Sequence, residues 1–194
     1  MAESSPAIPL KAALADLLSW FEDMQVEGVV IGGVAASLLG RPRATLDVDA
    51  VVWLHEERWT IFLEAAGRHG FSPRIPDALA FAKRSRVLLL THSSTGVPAD
   101  VAFGALPFEQ QAIAHRTDHD LEGLKVPLPR PEDLVIMKAI AHRPRDDADI
   151  EGLLQARPDI DRRYVTETVR EFARILDAPE LLADLERLLA RVRE

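Results

Sequence analysis

VVIGGVAASLLGRPRATLDVDAVVWL, residues 29–54, decides the fold. In order it reads as an apolar strand, a Gly-Gly turn, a short helix, a basic loop and a second apolar strand carrying two acids. Alternate side chains of a strand share a face and lie about 6–7 Å apart. Asp47 and Asp49 therefore point one way, while Val48, Ala50, Val52 and Leu54 point into a core. Two carboxylates side by side repel unless positive charge comes between them. A divalent cation with a taste for hard oxygen ligands, such as Mg²⁺, is one answer. An acidic sheet edge facing solvent is the plainer one. Gly32 and Gly33 bring bare backbone N–H groups to the start of a helix, a place suited to phosphate. Metal and phosphate together point to nucleotide chemistry.

The surrounding chain gives these strands their setting. Its 194 residues are 47% hydrophobic, enough for one domain core with or without a small appendage. Without cysteine it has no disulfide, thiolate metal site or thiol nucleophile. A net charge of −8 speaks against a broad nucleic-acid groove but leaves room for a local basic site. No apolar run approaches the roughly 20 residues of a membrane span. MAESSPAIPL lacks the basic start and apolar stretch of a signal peptide, so a cytoplasmic protein is expected.

Periodicity predicts the remaining elements. Residues 1–8 are expected to fray, followed by a helix from Leu10 through Phe21. A strand is predicted at 29–31, a helix over Val34–Leu39 and a strand over Thr45–Leu54. A helix follows over Glu56–His69, closed by Gly70. FSPRI (71–75) reads as a weak edge strand because of Pro73, and a short helix capped by Asp77 runs to Arg84. RVLLLTHSSTGVPADVAFG (86–104) reads as a hairpin. A helix over Pro107–Ala114 precedes two short strands around Glu122-Gly123. Helices near 131–142, 145–156, 161–176 and 179–193 complete the chain, with breaks at Pro144, Pro158 and Pro179. The fold class is α+β: a mixed sheet with helices, then a helical C-terminal third.

A third acid tests the metal reading. In VPADVAFG, Val97, Ala99, Val101 and Phe103 make one apolar face and Asp100 points the other way. If this strand lies beside that of Asp47 and Asp49, three carboxylates converge, a cluster able to hold two metals. Lys138 interrupts an apolar helical stripe of Leu134, Val135, Met137 and Ala141, where a lysine snorkels or finds an anion. Arg143 and Arg145 flank the break at Pro144. Asp146 and Asp149, three apart, share a helix face, although acids also suit the start of any helix.

Gly-Gly, then R-x-T-x-D-V-D over Arg43–Asp49, then one later Asp on a strand resembles the nucleotidyltransferase superfamily with the polymerase-β-like core. PRPEDLVIMKAIAHRPRDDADIEGLL, residues 129–154, is similar to the helical segment of abortive-infection (AbiE-type) toxin-like members and their minimal relatives. The resemblance implies a nucleotidyltransferase-like core with its N-terminal helix over residues 1–129. Residues 130–194 would form a helical region packed on it. It implies Mg²⁺ (or Mn²⁺) held by Asp47, Asp49 and Asp100, with Asp100 also activating an acceptor hydroxyl. Gly32, Gly33, Ser37, Arg43, Thr45, Arg145, Asp146 and Asp149 would bind the NTP. Lys138 would lie near its triphosphate. The implied reaction moves an NMP group to a hydroxyl of RNA (tRNA in toxin-like relatives), a protein or a small molecule, releasing pyrophosphate. An antitoxin partner belongs to the toxin–antitoxin version of this reading. The alternative is a non-catalytic nucleotide- or partner-binding regulatory protein that keeps the fold.

Overall fold

The structure, a computed structural model, describes residues 7–192. It is a mixed α/β protein that divides into two compact units. One comprises the chain up to Val34 together with Ala44–Leu128; the other comprises Ala35–Arg43 together with the chain from Pro129 onward.

The first unit is built on a five-stranded sheet in the order β1-β2-β5-β4-β3. Its strands are β1 (Gly28–Ile31), β2 (Val48–Val52), β3 (Phe71–Pro73), β4 (Val87–His92) and β5 (Pro98–Phe103). β2 and β5 run parallel; the other neighbours are antiparallel. The helices here are α1 (Ala7–Asp23), α3 (Trp59–Ala66), α4 (Ala78–Ser85) and α5 (Pro107–Ala114), with α2 (Gly32–Leu39) starting in this unit. β6 (Thr117–Leu121) and β7 (Leu124–Leu128) form a separate ribbon. Its turn places Glu122 and Gly123 at φ 51° and 88°, the positive pair that a two-residue hairpin turn requires.

One sheet face carries the core. Val30, Ala50, Val101 and Leu88 stand in register across four strands, and all are buried. Trp20 stacks on Phe62 at 4.1 Å and Trp59 on Phe103 at 4.0 Å, joining α1, α3 and β5. The two indole N–H groups donate to the carbonyls of Phe62 and Leu54, so this apolar layer buries no unpaired indole. The opposite face is divided. At one end Val29 and Val51 are covered by Ile113 of α5. At the other end it carries acids.

The second unit holds α6 (Pro131–Ala141), α7 (Asp146–Ala156), α8 (Arg162–Ile175) and α9 (Glu180–Arg191). α8 and α9 each bury one apolar stripe: Val165, Val169 and Ala173 on α8, and Leu181, Leu185, Leu188 and Leu189 on α9. Asp161 caps α8 by accepting the Tyr164 N–H at 3.0 Å. Residues 35–43 belong here because they run against α7. A Cβ on Gly40 would stand 3.1 Å from the Leu153 nitrogen, and one on Gly152 would stand 3.3 Å from the Arg41 Cβ. Two glycines thus permit a close crossing of backbone on backbone.

Most predicted elements form, with corrected ends. Ala7 and Ile8 are helical rather than frayed; residues 1–6 lie outside the described residues. β2 spans Val48–Val52 rather than Thr45–Leu54, the five residues that pair with Ala99–Phe103 of β5. α2 starts at Gly32, not Val34. The helix expected over Glu56–His69 is α3 with a 3₁₀ turn at each end. Asp77 does not cap α4 through its side chain; its backbone is left-handed at φ 52°. The basic run Lys83–Arg86 is partly structural, since Arg86 donates to the Phe103 and Gly104 carbonyls and lies over Trp59. Among the described residues, no helix is long and apolar enough to cross a membrane.

Candidate active site

The acids stand where β2 and β5 run parallel. The ladder sets Asp49 directly across from Asp100, with Val48 across from Ala99. Both acids therefore lie on the face opposite the core, beyond the end covered by α5. Asp47 precedes β2 by one residue and is held by Thr45, whose hydroxyl donates to Oδ1 at 2.8 Å. Burial is the largest influence on Asp100 and pushes its carboxyl above the usual range. The Asp47 charge adds to that push, and Arg74 opposes it.

Arg74, just past β3, reaches this face. Its backbone N–H donates to the Leu89 carbonyl at 2.9 Å, and Leu89 is the β4 residue opposite Asp100. From there the Arg74 guanidinium ion-pairs with Asp100. The sequence reading missed Arg74, which looks like any arginine after an edge strand. Only the β3–β4–β5 register reveals it. Among the described residues, no three His, Asp or Glu side chains are gathered closely enough to hold a metal ion, and Arg74 supplies positive charge to Asp100.

Gly32 follows β1 at φ +63° and opens α2. A Cβ there would stand 1.9 Å from Asp49 Oδ2, so the glycine turn and the second acid share one packed position. Gly33 follows, buried in the first turn of α2. Replacing Gly32 with Ala is expected to cost roughly 1–2 kcal/mol from the left-handed backbone alone and to displace the Asp49 carboxylate. Urea denaturation of the Gly32→Ala variant checks this. An unchanged midpoint would mean that neither the turn nor the contact matters.

A second cluster lies within the helical unit. Lys138 is 3% exposed, and its ammonium donates to Asp146 at 3.0 Å and to Asp149 at 2.6 Å. Arg43 forms a two-pronged pair with Asp149, at 2.6 and 2.8 Å. The Arg143 Nε donates to Asp146 at 2.9 Å. Burial pushes both acids upward, but these hydrogen bonds outweigh it and hold both carboxyls below the usual 3.8. Ser37 closes its own loop, donating to the Arg43 carbonyl at 3.0 Å. Arg145, a candidate for binding the NTP, is exposed ahead of α7, and Arg143 pairs with Asp146.

A carboxyl held low when folded stabilises the protein above its unfolded pKa and loses that contribution as pH falls through the folded value. The stability of the helical unit is therefore expected to be steady near neutrality and to fall below about pH 4. Melting curves taken down that range check it. A melting temperature that does not fall more steeply in wild type than in an Asp146→Asn/Asp149→Asn variant would contradict it.

A mixed sheet in this order, with a glycine turn and helix joining the antiparallel β1–β2 pair, is a nucleotidyltransferase-like fold. The chain is similar over nearly its whole length to solved structures of that class. One is an antigenic nucleotidyltransferase-like protein from Paracoccidioides brasiliensis, with 17% identity, TM-score 0.55, and 91% of this chain and 92% of the other covered. Another is the antibiotic-resistance factor ANT(2'')-Ia, with 14% identity, TM-score 0.59, and 87% and 93% covered. No family model and no curated protein sequence matches the chain.

Proposed function

We propose that this protein transfers an NMP group from an NTP to a hydroxyl acceptor and releases pyrophosphate. The observation that carries this is the register of Asp49 against Asp100 on the acid-bearing sheet face. Two hard carboxylates, Asp47 just ahead of β2 and Asp49 on it, suit Mg²⁺, which keeps several waters and takes phosphate oxygens as its other ligands. Asp47 and Asp49 would hold the metal, which when bound neutralises phosphate charge.

The other roles belong to the chain itself. The amides of Gly32 and Gly33, opening α2, face phosphate oxygens. Asp100, whose proton affinity is raised by burial, takes the acceptor hydroxyl proton as that oxygen bonds to the α-phosphorus. The bond to pyrophosphate breaks in the same displacement. Thr45 keeps Asp47 in its rotamer. Lys138 bonds Asp149, which in turn holds the Arg43 guanidinium.

One observation favours a second reading, a nucleotide-binding regulatory protein without catalysis. Arg74 already neutralises the acid that would serve as base. Incubation with each labelled NTP and Mg²⁺ or Mn²⁺, with RNA, protein or small hydroxyl compounds as acceptor, separates the two. Pyrophosphate release with label on an acceptor is the expected result. Nucleotide binding with no transfer to any of them supports the regulatory reading.

A further inference from the structure

We infer that the acceptor is a small uncharged polyol with an apolar flank, seated in a groove where β2 and β5 begin. This rests on the transfer reading above. The groove holds about 400 Å³, the scale of a small-molecule site rather than a polymer track. Pro9, Leu10, Leu46 and Val97 give it apolar walls, and Thr45 and Thr95 supply hydroxyls. Among the described residues, no charged side chain lines it.

Register ties the groove to the acids. Pro98, in its lining, is two residues before Asp100 and on the same strand face. Thr45, also in its lining, bonds directly to Asp47. An acceptor here lies beside Asp47 and two residues along β5 from Asp100, the acid that would take its proton.

The hydroxyls set the polarity. Thr45 spends its proton on Asp47, leaving oxygen lone pairs toward the groove. Thr95 Oγ1 accepts the Val97 N–H at 3.3 Å and meets the buried His92 Nδ1 at 2.8 Å; with the His92 Nε2 proton given to Asp16 at 2.8 Å, Nδ1 takes the Thr95 hydroxyl proton and one Thr95 lone pair is left for a ligand. Such oxygens welcome ligand O–H donors. A phosphodiester brings only acceptors and negative charge, with no lining cation to meet them and acids next door. Leu46, 72% exposed at the rim, is an uncovered apolar surface for the flank of the ligand.

The test follows backbone amide shifts on the whole protein. Hexyl β-D-glucoside is expected to shift Leu10, Thr45, Leu46, Gly96 and Val97 saturably, while a single-stranded RNA oligonucleotide leaves them in place. Leu46→Asp, at an exposed position the fold tolerates, is expected to weaken the glucoside about tenfold. RNA shifting these amides, no saturable glucoside shift, or an unchanged affinity in Leu46→Asp would each overturn the inference. MgATP and the other Mg-NTPs, titrated into the same sample, report on Gly32 and Gly33. Nucleotide binding without glucoside binding removes the groove and spares the transfer reading. Failure of every nucleotide removes that reading and the acceptor role with it.

Discussion

Lys138→Met is expected to destabilise the protein by about 3 kcal/mol. The substitution keeps the length and apolar stem of the side chain while removing a cation shared by two buried acids, Asp146 and Asp149. Breaking a buried ion pair costs about 3–5 kcal/mol because the remaining charge stays desolvated. Arg143 and Arg43 still reach one acid each, which puts the cost at the low end of that range. Total stability is about 5–15 kcal/mol, so this is a large share of it. Adding Asp146→Asn to Lys138→Met is expected to recover part of the loss by removing the orphaned charge. Denaturant unfolding of the single and double variants checks both. A stable Lys138→Met that has lost nucleotide affinity would show instead that Lys138 contacts the triphosphate.

The second large effect concerns chemistry and spares the fold. Asp49→Asn is expected to lower transfer on the order of 10²-fold or more, about 2.7 kcal/mol of barrier, by removing one of the paired acids. Its melting temperature is expected to hold, because Asn keeps the size and shape of Asp at this position across from Asp100. A melting curve beside the transfer assay separates the outcomes. A variant that melts far below wild type marks Asp49 as structural; one with full activity removes it from the site.

How much of this was legible beforehand depended on how local the physics is. Period-two alternation shows that Asp49 and Asp100 leave the core, because a strand sorts its side chains residue by residue. It does not say where pairing stops, so Thr45–Leu54 overshoots β2 by three residues at its start and two at its end. Pairing with Ala99–Phe103 of β5 sets those limits. The apolar stripe around Lys138 shows that its stem is buried but leaves open whether its ammonium snorkels to water or meets an anion. Its partners lie eight and eleven residues on, past a helix break, where no helical spacing applies. Arg74 was invisible because its link to Asp100 runs through the pairing of three strands. The placement of residues 35–43 against α7 depends on Gly40 and Gly152, which no local pattern couples.

Calorimetric titration of the wild type and Asp49→Asn with each of the four Mg-NTPs bears most directly on the acid face as a metal-nucleotide site. Mg²⁺ keeps several waters and borrows phosphate oxygens, so binding should need metal and nucleotide together. The expected result is that at least one NTP binds wild type, with affinity lost on chelating the metal and sharply reduced in Asp49→Asn. Equal affinity in both proteins, or binding indifferent to chelator, would contradict it.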